Sequence, residues 1–158
     1  DKVIIDNAYF KEEIVAVRKS TSAAIPLSKL FADYGIGVEL DTLSDFYLLG
    51  AMGGRFRANV NHFPTVELAV QGLQEGVVKS VVAPRSQIEG YLKEASNEYV
   101  FTKVVMPASY QSTWVVGMAV KEGREKLVLK LANALNQIKE SGEFARLLKK
   151  YHISNAAE

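Results

Sequence analysis

The sequence predicts an α/β protein: a mixed, mainly parallel sheet flanked by helices, followed by a C-terminal helical extension. Two observations carry this. A short apolar run, a polar turn and an apolar pattern of helical period recur three times between Ile36 and Ala95. From Glu125 onward the apolar residues fall only at helical spacing. Strands alternating with helices of this length form βα units, whose strands run parallel with right-handed crossovers.

The first element is the run Ile14-Val15-Ala16-Val17, which follows the aromatic pair Tyr9-Phe10 and reads as a strand. The first βα unit is Ile36-Gly37-Val38-Glu39-Leu40, the turn Asp41-Thr42, and a pattern of Leu43, Phe46, Tyr47 and Gly50. The second is Asn59-Val60-Asn61-His62-Phe63, then Pro64-Thr65, then Val66, Ala69, Val70 and Leu73. The third is Ser80-Val81-Val82-Ala83, then Pro84-Arg85-Ser86, then Ile88, Tyr91, Leu92 and Ala95. Thr65 is placed to cap the second helix, and Ser86 with Glu89 has the spacing of a capping box. Residues 99–106 and 114–120 read as two more strands. Val128, Leu131, Leu135 and Ile138 then form one helical stripe, Ser141-Gly142 breaks it, and Phe144, Leu147, Leu148 and Tyr151 form another.

Composition narrows the function classes. Nineteen Lys and Arg against eighteen Asp and Glu leave a net charge of +1 over 158 residues. That balance lacks the concentrated basic surface that nucleic acids or anionic membranes attract. A hydrophobic fraction of 48% suits a globular core. The longest strongly apolar run, 114–120, falls far short of the roughly 20 residues that span a bilayer. Without cysteine there are no disulfides, thiolate metal sites or cysteine nucleophiles. The first residues, Asp1-Lys2-Val3-Ile4-Ile5, do not read as a signal peptide, so any such segment is expected to lie outside the sequence.

In open α/β sheets, ligands bind beyond the carboxyl ends of the strands, where helix N-termini present backbone N–H groups. That rim is made here of residues 39–44, 62–65 and 83–86. Glu39, Asp41, Thr42, Leu43, Thr65, Pro84 and Arg85 are the expected ligand-binding residues, with Ser44 and Ser86 as further hydroxyls. Arg85 is the rim's one permanent cation; it would grip a carboxylate or pair with Glu89. The hydroxyls equally suit helix caps. No catalytic or metal-binding set emerges, and no cofactor is expected. Gly35-Ile36-Gly37 precedes its strand and is a turn, Gly53-Gly54 is a helix stop, and neither a phosphate-binding loop nor a hydrolase elbow occurs. His62 and His152 are far apart and read as structural. Glu12-Glu13 and Glu140 with Glu143 read as solvated faces.

Five segments in order resemble the periplasmic solute-binding proteins of polar amino-acid ABC importers, which have the type II fold. Trp114-Val115-Val116-Gly117-Met118-Ala119-Val120-Lys121-Glu122-Gly123 is similar to the family's "YGIAVRKG". Residues 136–151 resemble its C-terminal "LKADGTYQKLYEKW", and Phe63-Pro64-Thr65-Val66-Glu67-Leu68-Ala69 its "FPTVEEALQALKEG". Ile25-Pro26-Leu27-Ser28-Lys29-Leu30 through Val38 parallels "ISLADLKGKKVGV", and Asp6-Asn7-Ala8-Tyr9-Phe10 through Lys19 parallels "SDPYFETGLVLVVRK".

The resemblance implies that residues 11–108 form the second, ligand-binding lobe. Residues 1–10 and 109–158 would be hinge strands and C-terminal helices that belong with a first lobe, whose N-terminal part the sequence does not contain. It implies extracytoplasmic binding of a small polar or carboxylate-bearing solute, a membrane permease as partner, and no enzymatic activity. Pro84 stands where the family has an aspartate for the ligand's α-amino group. Thr42 is kept where a hydroxyl and a backbone N–H meet a carboxylate, while Asp41 replaces a glycine. Two alternatives share the fold: a cyclohexadienyl-dehydratase-like enzyme, with Glu39 and Asp41 in its cleft, and the sensing domain of a receptor kinase. The 128–138 stripe is expected to pack on a neighbouring copy or to leave an apolar patch.

Overall fold

The computed structural model describes residues 2–154. Its elements in chain order are β1 (Val3–Lys19), α1 (Leu27–Asp33), β2 (Ile36–Glu39), α2 (Leu43–Gly54), β3 (Val60–Phe63), α3 (Val66–Glu75), β4 (Ser80–Pro84), α4 (Arg85–Leu92), β5 (Tyr99–Lys103), β6 (Thr113–Lys121), α5 (Glu125–Glu140) and α6 (Glu143–Lys150). Two compact units result: Glu13–Ser112, and the described residues of Asp1–Glu12 with Thr113–Glu158. The long strand β1 passes through both.

In the unit Glu13–Ser112 the strand order is β3-β2-β4-β1-β5. β2 runs parallel to β3, with Val38 opposite His62, and parallel to β4, with Gly37 opposite Val81. β1 is antiparallel to β4 and to β5, with Val15 opposite both Ala83 and Lys103. The expected mixed sheet with a parallel core is therefore present, and its three βα units are the ones the sequence grammar marked.

Strand residues alternate between faces, so paired positions sort the core. Val15, Val17, Val81 and Ala83 share one face and pack with Val66, Ala69, Val70 and Leu73 of α3 and Ile88 and Leu92 of α4. The α3 spacing read from the sequence is the spacing buried. The opposite face carries Ile14, Ala16, Ile36, Val38 and Val82, all buried, and α2 brings Leu48 against β2 and β3. Two covered faces explain why these strands read as continuous apolar runs. Phe31 of α1 meets Phe56 edge-on, with ring centroids 5.5 Å apart.

Three local expectations need correction. The stripe expected on α2 is not its buried face: Phe46 is 55% exposed, while Ser44, Asp45 and Leu48 are buried. A buried, hydrogen-bonded carboxylate rotates the helix away from the phase its apolar residues suggest. Ser86 does not begin a capping box, because α4 starts at Arg85 with Pro84 at its N-cap, and Ala95 falls beyond the helix in a 3-10 turn. Finally, Glu12 is 6% exposed and Glu13 sits in the interior of β1, so this pair is no solvated face. Glu143 does lie on a solvated face, where Arg146 bonds it and holds its carboxyl below the usual range.

In the other unit, β6 pairs with β1. Gly117 allows the close approach, since a Cβ there would lie 2.8 Å from Asp6 O. Asn7 Nδ2 donates to Val128 O of α5 at 3.1 Å. On α5, Val128, Leu131 and Leu135 are half-buried and Ile138 is 40% exposed. Gly142, at φ 78°, separates α5 from α6 as the Ser141-Gly142 break implied.

Candidate ligand-binding rim

Parallel neighbours β3, β2 and β4 end at one edge of the sheet. Their last residues, Phe63, Glu39 and Pro84, lead into the N-termini of α3, α2 and α4. The first-turn amides of a helix have no intrahelical partner, and the helix dipole adds partial positive charge there. Three such ends on one edge gather unpaired first-turn amides suited to oxygen-bearing ligands.

The β2–α2 turn is the most tightly built part. Leu40 N donates to Phe63 O at 3.0 Å, joining the ends of β2 and β3. Asp41 then takes a left-handed conformation, at φ 59°. Thr42 caps α2: its hydroxyl donates to Glu39 O at 2.7 Å and accepts from Asp45 N at 3.3 Å. Asp45 is 2% exposed; its Oδ2 accepts from Asp41 N at 3.0 Å, and its Oδ1 lies 2.9 Å from His62 Nε2. Leu43 is half-buried, Asp41 is exposed, and the buried Ser44 hydroxyl has no hydrogen-bond partner among the described residues. Thr42→Ala is expected to cost about 1 kcal/mol, the usual value of an N-cap hydroxyl, while Thr42→Ser keeps most of it. Urea denaturation of both variants checks this, and an unchanged midpoint in Thr42→Ala would contradict the capping role.

Thr65 caps α3 by accepting from Leu68 N at 3.2 Å. At the third strand end, Arg85 is held on several sides. Its Nε donates to Glu13 Oε1 and its Nη1 to Glu89 Oε1, each at 3.2 Å, and its guanidinium lies 5.2 Å from the Phe101 ring centroid. Lys103 Nζ is 3.9 Å from the other oxygen of Glu13. Two cations thus face two carboxylates, and the cluster is locally neutral. Arg85 pairs with Glu89, one of the roles the sequence allowed, and Glu13 adds a second carboxylate.

Sequence reasoning missed Glu13, Asp45 and the contact of His62. The signal available was position: Glu13 directly precedes the apolar run of β1, and Asp45 stands three residues after Thr42, where a carboxylate reaches back to the turn amides. A separate cavity of about 450 Å³ lies between α2 and the segment after β5, lined by Tyr47, Met52, Met106 and Tyr110 among others, none charged. The Tyr47 and Tyr110 rings meet edge-on at 5.7 Å, and burial pushes the Tyr47 phenol up. Among the described residues no helix is long and apolar enough to cross a membrane, and no three His, Asp or Glu side chains gather to hold a metal.

With this geometry in view, comparison with known proteins is direct. The chain is 28% identical over 145 residues to a probable histidine-binding protein of Neisseria gonorrhoeae, covering 92% of the chain and 52% of that protein. It spans about half the length of this curated relative. Among solved structures it is similar to an ancestral cationic amino-acid solute-binding protein, with a TM-score of 0.75, 19% identity, and coverage of 96% of this chain and 62% of that one. It is also similar to an arginine-, lysine-, histidine-binding protein from Geobacillus stearothermophilus, with a TM-score of 0.61, 20% identity, and coverage of 98% and 64%. No protein-family model matches the chain. The fold is that of the type II solute-binding proteins, as the resemblance in sequence implied. Each of these relatives is named for amino-acid binding.

Proposed function

We propose that the chain supplies the ligand-binding second lobe, residues 11–108, of an extracytoplasmic solute-binding protein that serves the permease of an ABC importer. Residues 1–10 and 109–158 then belong to the hinge and C-terminal helices of a two-lobed whole. The observation that carries this is the convergence of three strand ends and three helix N-termini on one rim. The role is binding rather than catalysis: among the described residues the rim carboxylates Glu39 and Asp41 are not paired with an acid, base or nucleophile that would make them a reacting set.

The ligand is a small polar solute with a carboxylate. Thr42, Leu43 and the first turn of α2 offer N–H groups to that carboxylate, and Thr65 supplies a neighbouring polar edge. Pro84 provides no charge for an ammonium group, and Arg85 is neutralised by Glu13 and Glu89. The helix N-termini favour negative charge and Pro84 supplies no carboxylate for an ammonium, so a neutral or acidic solute is favoured over one with a cationic side chain, even though relatives are named for histidine, arginine and lysine. Association through α5 has no part in this reading, since most of its stripe is half-buried.

Calorimetric titration of the full-length protein against histidine, glutamine, glutamate, arginine and lysine tests the proposal. Saturable binding of at least one, weaker for arginine and lysine, is the expected result. Tight arginine binding would overturn the charge argument. Turnover of prephenate or arogenate would replace binding by the dehydratase alternative.

A further inference from the structure

We infer that His62 is a positioning residue for the turn between β2 and α2, acting on it through Asp45. The inference rests on the reading of that turn as part of the ligand-binding rim. Asp41 must adopt a positive φ of 59° to turn the chain from strand into helix, a conformation that L-residues avoid. The Asp41 amide is held by its hydrogen bond to Asp45 Oδ2, at 3.0 Å, beside the Leu40–Phe63 and Thr42–Glu39 bonds of the same turn. The Asp41 part of the turn therefore depends on the Asp45 carboxylate.

That carboxylate is 2% exposed, and a buried charge is stable only where donors replace its water. The side-chain donor is His62, at 2.9 Å. A carboxylate only accepts, so the hydrogen-bond network assigns the proton to His62 Nε2 in either charge state of the ring. His62 comes from another strand: it sits on β3, at the sheet edge, opposite Val38 of β2. It thus anchors the turn from outside. Without it, Oδ1 loses its donor, the carboxylate turns toward water, and the Asp41 amide is released. His62 has a side chain 39% exposed, so its contribution to the apolar core is small, and its bond to Asp45 is its principal role.

The test uses the full-length protein, His62→Ala and His62→Gln, since glutamine restores an N–H donor. Amide exchange reports on the turn without any ligand. The Asp41 amide should exchange at least roughly tenfold faster in His62→Ala than in wild type, the size of one hydrogen bond to a charged group, and near the wild-type rate in His62→Gln. A second arm titrates L-histidine and L-glutamine, where the same pattern is expected in Kd. An Asp41 exchange rate unchanged in His62→Ala overturns the inference. So does an unchanged Kd for a probe that wild type binds, even if stability falls. Failure of wild type to bind any probe refutes the solute-binding reading instead, and the exchange arm then decides the role of His62 alone. A proton-detected imidazole spectrum adds a direct sign, with His62 and His152 the histidines that this sequence contributes and Asp45→Ala assigning the His62 signal. His62 should show a protected Nε2–H that disappears in Asp45→Ala.

Discussion

Arg85→Ala is expected to lower folding stability by about 3 kcal/mol, because it removes the cation bonded to two poorly solvated carboxylates, Glu13 and Glu89. The side chains of Glu13 and Glu89 are only 14% and 8% exposed, and the guanidinium that bridges them is itself 26% exposed. Breaking such a pair by removing one partner costs more than the pair contributes over an apolar substitute, since the remaining charges stay desolvated. The cation–π contact with Phe101 is lost as well. Lys103 offsets a part, but it stands 3.9 Å from one oxygen of Glu13 and is half exposed. Arg85→Lys should recover less than half, because an ammonium cannot serve two carboxylates along a rigid fork. The triple variant Arg85→Ala, Glu13→Gln, Glu89→Gln should recover most of it. Urea denaturation at low and high salt measures all three, and Arg85→Ala within 0.5 kcal/mol of wild type would show the cluster to be ordinary surface charge, by the usual range for such sites.

The same cluster shows why parts of this molecule were legible in sequence and others were not. Strands β2 and β4 could be read as short continuous apolar runs and helix α3 as a periodic apolar set, and such patterns survive without any knowledge of neighbours. The order β3-β2-β4 then brings the rim together almost without further information. Other features depend on partners distant in sequence. Glu13 is 72 residues from Arg85, and its place directly before the β1 apolar run is the only local hint that it differs from a solvated glutamate. Strand β1 extends from Val3 to Lys19, yet only its four-residue apolar run is visible, because Asp6-Asn7 and Glu12-Glu13 interrupt the pattern. Helix α1, of seven residues, is too short for a period to show. On α2 the burial of Asp45 depends on His62, so an apolar-face argument finds the wrong side.

Gly72→Val is expected to destabilise the protein by about 3 kcal/mol, against the helix-propensity trend, and the reason lies in the aromatic ring at the rim. Gly72 is interior to α3, where glycine costs about 1 kcal/mol relative to alanine. A Cβ at Gly72 would meet the Phe63 ring at 2.9 and 3.1 Å. A Cβ at Gly37 of β2 would meet the same ring at 3.3 Å, as well as Val81 at 3.1 Å. Phe63 is the last residue of β3, so its ring is seated on two glycines immediately before Pro64 and Thr65. Overpacking costs about 1–3 kcal/mol, so in Gly72→Ala it outweighs the propensity gain by about 1 kcal/mol. Valine adds two further carbons and a restricted χ1, which takes the cost to the upper end of that range. Shortening the ring should relieve the clash: Gly72→Ala combined with Phe63→Leu should be more stable than the sum of the single effects, by a coupling energy of about 1 kcal/mol. Equilibrium urea unfolding of the singles and the double closes that cycle. Gly72→Ala more stable than wild type would mean that the ring swings aside freely, and that the glycine seat does not fix the β3 end of the rim.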